Sequence, residues 1–161
     1  MDGGIRMAAG TGGKLSIGIG IAWLSLAAGV TAAGAAGPPL ASAGDWTLAR
    51  ADGPSPCILA TTSPSRVQVV GSRLEVTGLP KESLFNYQYR IDDQPVSNAM
   101  IPSPAMQKAG AIWFEGDAFD AILKGRRFQI RILDRWHEAI TEDVSLNGLR
   151  SLQDQARTEC Q

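Results

Sequence analysis

The chain has 161 residues and an almost balanced charge, with 15 basic and 16 acidic side chains, one histidine and two cysteines. That balance argues against nucleic acid or an anionic membrane surface as a partner, both of which call for a basic excess. The length suits one domain with a modest core, and a single histidine with two distant cysteines excludes a His/Cys zinc cluster.

The chain opens with Arg6 and Lys14, followed by an uncharged run from Leu15 to Ala43. Its first half is strongly apolar (Leu15, Ile17, Ile19, Ile21, Trp23, Leu24, Leu26), and its second half fades into Ala, Gly, Ser and Thr. A basic start, an apolar middle and a small-residue end are the layout of a secretory signal. Residues 1–43 are therefore read as a signal peptide with a small-residue linker, and 44–161 as a single β-rich domain. Cleavage after Ala33, Ala35 or Ala43 would each suit the small-residue rule, with the earlier sites favoured because Ala43 lies far from the apolar run. The alternative is an uncleaved anchor, which would be the protein's only route to a membrane; the strongly apolar part is short for a span. Leaving out Arg6, Lys14 and Asp2 gives the domain 13 basic and 15 acidic side chains, again with no reason to expect nucleic acid.

In the domain, "DWTLAR" (45–50), "CILATT" (57–62), "RVQVV" (66–70) and "RLEVTGL" (73–79) read as strands. The last two are split by Gly71–Ser72, a hairpin signal. "FNYQYRID" (85–92) alternates Phe85, Tyr87, Tyr89 and Ile91 against polar residues, which predicts a half-buried strand whose aromatic row is core. "GAIWFEG" (110–116) is a further strand. A helix over 116–125 is predicted, with Asp117 as N-cap and Gly125 as stop. "RRFQIRIL" (126–133) alternates again, and "EAITEDVS" (138–145) is the last strand. A second helix is predicted over 144–160, with Ser145 as N-cap and a stripe of Leu146, Leu149, Leu152 and Ala156. Eight short strands in hairpin-like order with two short helices predict a mainly β fold, an antiparallel β-sandwich or partly open barrel.

Cys57 and Cys160 stand at opposite ends of this domain. In an oxidising compartment the simplest expectation is that they pair, closing a loop of roughly 100 residues and pinning a terminal helix that would otherwise fray. Two unpaired thiols are the alternative.

The elements "DWTLAR…CILATT", "YRIDDQPV", "FDAILKGRRFQIRIL" and "VSLNGLRSLQDQARTEC", behind an export signal, resemble the invasion-associated locus B family of proteobacterial exported proteins and its uncharacterised relatives. The resemblance runs over residues 45–160. It implies a periplasmic or otherwise envelope-associated β-rich domain in a Gram-negative bacterium, and brings no enzymatic mechanism or catalytic residue with it. The namesake of the family is linked to host-cell invasion; this chain has only two cysteines and a shorter middle.

No catalytic constellation stands out. His137 lies in "DRWHEAI", a solvated turn between strands, and no serine sits in a G-x-S-x-G elbow. Asp92 and Asp93, with Asp134 and Glu138, are candidates for an acidic pair of the glycosidase kind, but adjacent aspartates in a strand face opposite ways, so a turn before Pro95 is the simpler account. "IDDQPVSN" is too poor in oxygen ligands for calcium. The only Gly-rich stretch near a lysine, "GTGGK" (10–14), falls in the leader, so no cofactor is expected. The remaining candidate is a binding face: Gln88 and Arg90 on one strand with Arg127, Gln129 and Arg131 on another, which, were the strands neighbours, would present a partly cationic surface to an envelope protein or polysaccharide. A plain solvated sheet face is the competing reading. The expected function is that of a non-enzymatic exported binding module; a small periplasmic hydrolase or carbohydrate-active enzyme is the alternative.

Overall fold

The computed structural model describes residues 38–51 and 57–160. They form two antiparallel sheets and three helices, packed as a sandwich. The larger sheet has the order β1 (Pro39–Ala43), β2 (Trp46–Arg50), β3 (Cys57–Thr61), β4 (Val67–Val70), β5 (Arg73–Val76) and β7 (Ile112–Phe114). The smaller sheet is β6 (Leu84–Ile91), β8 (Arg127–Asp134) and β9 (Ala139–Ser145). The two sheets do not join, so the barrel alternative gives way to the sandwich.

Period-two alternation places the core. Trp46, Leu48, Leu59, Val67, Val69, Leu74, Val76, Ile112 and Phe114 are buried on the inner side of the large sheet. Phe128, Ile130 and Ile132 answer from the small one. The sheets meet through an aromatic cluster in which Phe114 makes edge contacts with Tyr87, Tyr89 and Phe128 at centroid distances of 6.0, 4.8 and 5.3 Å. Polar ties cross the same interface: the indole of Trp46 donates to the Ser145 carbonyl at 2.8 Å, and Arg66 and Ser65 donate to the Glu142 carboxylate at 3.0 and 2.9 Å.

The helices close the open parts. α1 (Pro104–Ala109) is a short helix absent from the sequence reading. Its start and stop signals are present, since Ser103 caps Met106 N–H, Pro104 opens the first turn and Gly110 ends it in the left-handed region. At six residues it is too short for a period-3.6 pattern to register. α2 (Asp117–Lys124) crosses from the large sheet to the small one, burying Phe119 and Ile122. Gly116, not Asp117, is its N-cap; Asp117 is the first helical residue and, with Asp120, places negative charge at the positive helix end.

α3 (Leu149–Glu159) packs beside β1, β2 and β3. It starts later than expected from Ser145, which belongs to β9 and whose hydroxyl accepts from Asn147 N–H at 3.2 Å. Leu146, the first residue of the leucine stripe, is buried but precedes the helix, its N–H bonded to the Arg126 carbonyl at 2.8 Å. β1 is also additional: Pro39–Ala43, placed in the linker by sequence, pairs along β2, so the described fold begins before Gly44. Among the described residues no helix is long and apolar enough to cross a membrane.

One side chain of the aromatic row departs from its expected place. The register of β6 on β8 shifts between Leu84 and Asn86. This bulge lets Leu84 take the inner position and turns Phe85 outward, half exposed, against His137 at 5.4 Å. Tyr87 stays buried and Tyr89 partly so, as the alternation required.

Candidate functional site

β6 and β8 are hydrogen-bonded neighbours, so the five polar positions singled out from the sequence come together. Gln88 faces Arg131 and Arg90 faces Gln129 across the pair. On the other side of β8, Arg127 faces Ser145, Gln129 faces Asp143 and Arg131 faces Thr141 on β9. Because Phe128, Ile130 and Ile132 point into the core, the side chains between them stand on the outer face of the small sheet.

These side chains form a connected network. Arg90 Nε donates to Gln129 Oε1 at 2.9 Å, and Gln129 Nε2 donates to Asp143 Oδ2 at 2.8 Å. Arg127 grips the same carboxylate with two donors, Nε to Oδ1 at 2.7 Å and a terminal nitrogen to Oδ2. The Arg127 hydrogen bond holds the Asp143 carboxyl below its usual range, against a smaller opposing effect of desolvation and with help from Gln129 and from the charges of Arg127 and Arg90. Gln88 donates to the Ser97 carbonyl at 3.1 Å, in the segment that runs along the free edge of β6. Among the described residues Arg90 and Arg131 make no ion pair within 4.0 Å. The strand positions of this face thus carry three guanidinium groups and one carboxylate, a local cationic excess on a chain whose net charge is −1.

Two neighbours of the face were not read from the sequence. Asp143, the internal counter-ion, was counted only as part of a strand. The aromatic corner at the hairpin end was missed because it depends on the bulge: Phe85 and His137 stack edge to face there, and Trp136 in the β8–β9 turn is 69% exposed. A tryptophan inside the turn-like "DRWHEAI" was the one available hint. Met100 forms an antiparallel bridge with Tyr87, two 2.9 Å hydrogen bonds that set Ile101, 84% exposed, beside Asn86 at this same end.

Two of the four acidic candidates, Asp92 and Asp134, act as turn caps. Asp92, at φ 52°, accepts from the N–H groups of Arg126 and Arg127, both at 2.8 Å, and the Asp92–Asp93 pair occupies a turn closed by Gln94 N–H to the Ile91 carbonyl. Buried Asp134 accepts from Trp136 and Glu138 N–H at 2.8 and 2.9 Å, shaping the β8–β9 turn. In both, a single carboxylate oxygen, Oδ1, takes two backbone donors and so fixes the turn. His137 sits exposed in that turn at φ 63°. Among the described residues no group of three or more His, Cys, Asp or Glu side chains is placed to hold a metal ion.

Cys57 and Cys160 are joined by a disulfide with Cα atoms 5.9 Å apart, linking the start of β3 to the end of α3. Beside it lies a shallow pocket of about 220 Å³ lined by Leu59, Gly71, Gln153, Ala156 and the two half-cystines. Gln153, buried, donates from Nε2 to the Gly71 carbonyl at 2.7 Å, which orients its Oε1 as an acceptor; among the described residues Oε1 has no partner.

In comparisons with known proteins, no family model, no curated protein and no solved structure matches this chain.

Proposed function

We propose that the protein is an exported, non-enzymatic binding module of the bacterial envelope, of the invasion-associated locus B type, which engages an anionic partner through the outer face of the small sheet. The observation that carries this reading is the gathering of Gln88, Arg90, Arg127, Gln129 and Arg131 on one face, with a single carboxylate among the facing positions of β9.

Export rests on the leader-like N-terminus and is supported by the Cys57–Cys160 bond, which persists outside the reducing cytosol. In this reading signal cleavage follows Ala33 or Ala35. A cut after Ala43 would sever β1 from its turn to β2 and leave Ala49 and its neighbours at an unpaired edge.

The test is made on protein recovered from the periplasmic fraction of producing cells. Its N-terminal sequence is expected to start upstream of Pro39, and immobilised protein is expected to retain envelope material that the variant with Arg90, Arg127 and Arg131 all changed to Ser no longer holds. Equal retention by both forms, or a full-length product confined to the cytosol, refutes the reading.

A further inference from the structure

We infer that the partner of the outer face is an acidic polysaccharide carrying carboxylates on its sugars, with the arginine–amide strip reading the charged and hydroxyl groups and the aromatic corner at the hairpin end stacking on a sugar ring. This deepens the preceding reading and depends on it.

The first argument is the kind of donor. The outward positions of β6 and β8 include Asn86, Gln88, Arg90, Arg127, Gln129 and Arg131, a set of amides and guanidinium forks; Arg127 and Gln129 are engaged by Asp143, so Arg90 and Arg131, which make no ion pair among the described residues, carry the charge offered to a ligand. None of the set is a lysine. A planar fork meets a planar carboxylate edge to edge through two parallel hydrogen bonds, whereas diffuse attraction to a charged surface needs only point charges. Amides also pair with vicinal hydroxyls, donating to one and accepting from another.

The second argument is the apolar end. Trp136 and Phe85 are exposed at 69% and 50%, and Ile101 at 84%, at one end of a face that is otherwise polar. Exposed aromatic rings at one end of a polar sheet face offer apolar contact area to a ligand that runs along the strip. Flat aromatic rings suit the C–H face of a pyranose, and a cationic strip continuing from them suits an anionic chain. Phe85 is held outward by the bulge and by its edge contact with His137, so its ring is presented in place.

The third argument is length. From Arg127 to Arg131 the strip runs about 13 Å at the rise of an extended strand. That exceeds one sugar and calls for several consecutive ones. A compact anion would use one end of it and leave the rest idle.

Isothermal titration of the purified full chain tests this with polygalacturonate, neutral dextran, poly-glutamate and phosphatidylglycerol vesicles. Binding is expected to polygalacturonate, with neither dextran nor vesicles bound and poly-glutamate at least about tenfold weaker for want of a stacking partner. Trp136→Ala, an exposed change that leaves the core untouched, is expected to weaken polygalacturonate by about five- to tenfold without affecting poly-glutamate. Arg90→Ser with Arg131→Ser is expected to abolish binding. Equal affinity for poly-glutamate, indifference to Trp136→Ala, or preference for vesicles overturns the inference. A chain that ignores polygalacturonate yet loses envelope retention on the triple arginine change leaves the binding-module reading standing and removes only this one; a chain that ignores polygalacturonate and keeps its envelope retention after that change removes both.

Discussion

Asp143 governs the charge that the outer face presents. It engages Arg127 through two donors and receives Gln129, which in turn receives Arg90, so one carboxylate organises most of the strip. Its carboxyl is held below the usual value of 3.8, chiefly by the Arg127 hydrogen bond. A group whose folded pKa is depressed contributes stability that is present above its unfolded pKa and is lost as pH falls through the folded one. Asp143→Asn is therefore expected to melt slightly below the native chain at neutral pH, with the gap closing as the medium is acidified past the carboxylate range. Thermal melts of both forms across that range check it, and a gap independent of pH contradicts it. The effect is small because the pair is exposed and screened. The five strip residues were legible in the sequence because period-two alternation around Phe128, Ile130 and Ile132 settles which side chains face out. Phe85 was not, because the bulge at Leu84–Asn86 belongs to the pairing with β8 and leaves no mark on the local pattern.

At the scale of elements, the turn between β1 and β2 docks against the entry to α3. Asp45 N–H bonds to the Asn147 carbonyl at 3.1 Å, and Gly148 adopts φ 88° with its Cα pressed toward the Ala43 carbonyl. A Cβ there would lie 2.0 Å from that oxygen, a backbone atom that cannot swing aside. Gly148→Ala is expected to destabilise the fold by more than about 1 kcal/mol, combining a left-handed conformation with a collision. Urea unfolding checks this; an unchanged midpoint would show that β1 does not rest on α3. The same contact explains why the last helix begins at Leu149 instead of near Ser145. Ser145 remains paired with Arg127 in β9, and the chain bends through Leu146–Gly148 to meet the β1–β2 turn. Sequence periodicity detected the leucine stripe correctly, since Leu146, Leu149 and Leu152 are all buried. Burial on one side is shared by a helix and the turn leading into it, so the stripe does not locate the boundary.

At the scale of the whole molecule, the Cys57–Cys160 bond spans 103 residues and ties the end of the last helix to a central strand of the large sheet. Removing it through Cys57→Ser with Cys160→Ser is expected to cost about 2–5 kcal/mol, with the chain-entropy estimate for such a loop near 4.7 kcal/mol. Chemical unfolding of the native and doubly substituted proteins measures the difference; a loss well under about 1 kcal/mol would mean that α3 is held by Leu149, Leu152 and Gln153 alone. The sequence by itself determined the mainly β class, the eight strands from Trp46 onward, α2 and most of α3, and the outward facing of the five polar residues. Each of these follows from side-chain spacing within one segment, where local geometry is sufficient. Tertiary structure decided that the sheets remain separate and face each other, that β1 joins the larger one, that Phe85 turns outward, and that Asp143 closes the arginine network. All four depend on which segments lie side by side, and that choice is made by packing across the core and by strand register, neither of which a single segment encodes.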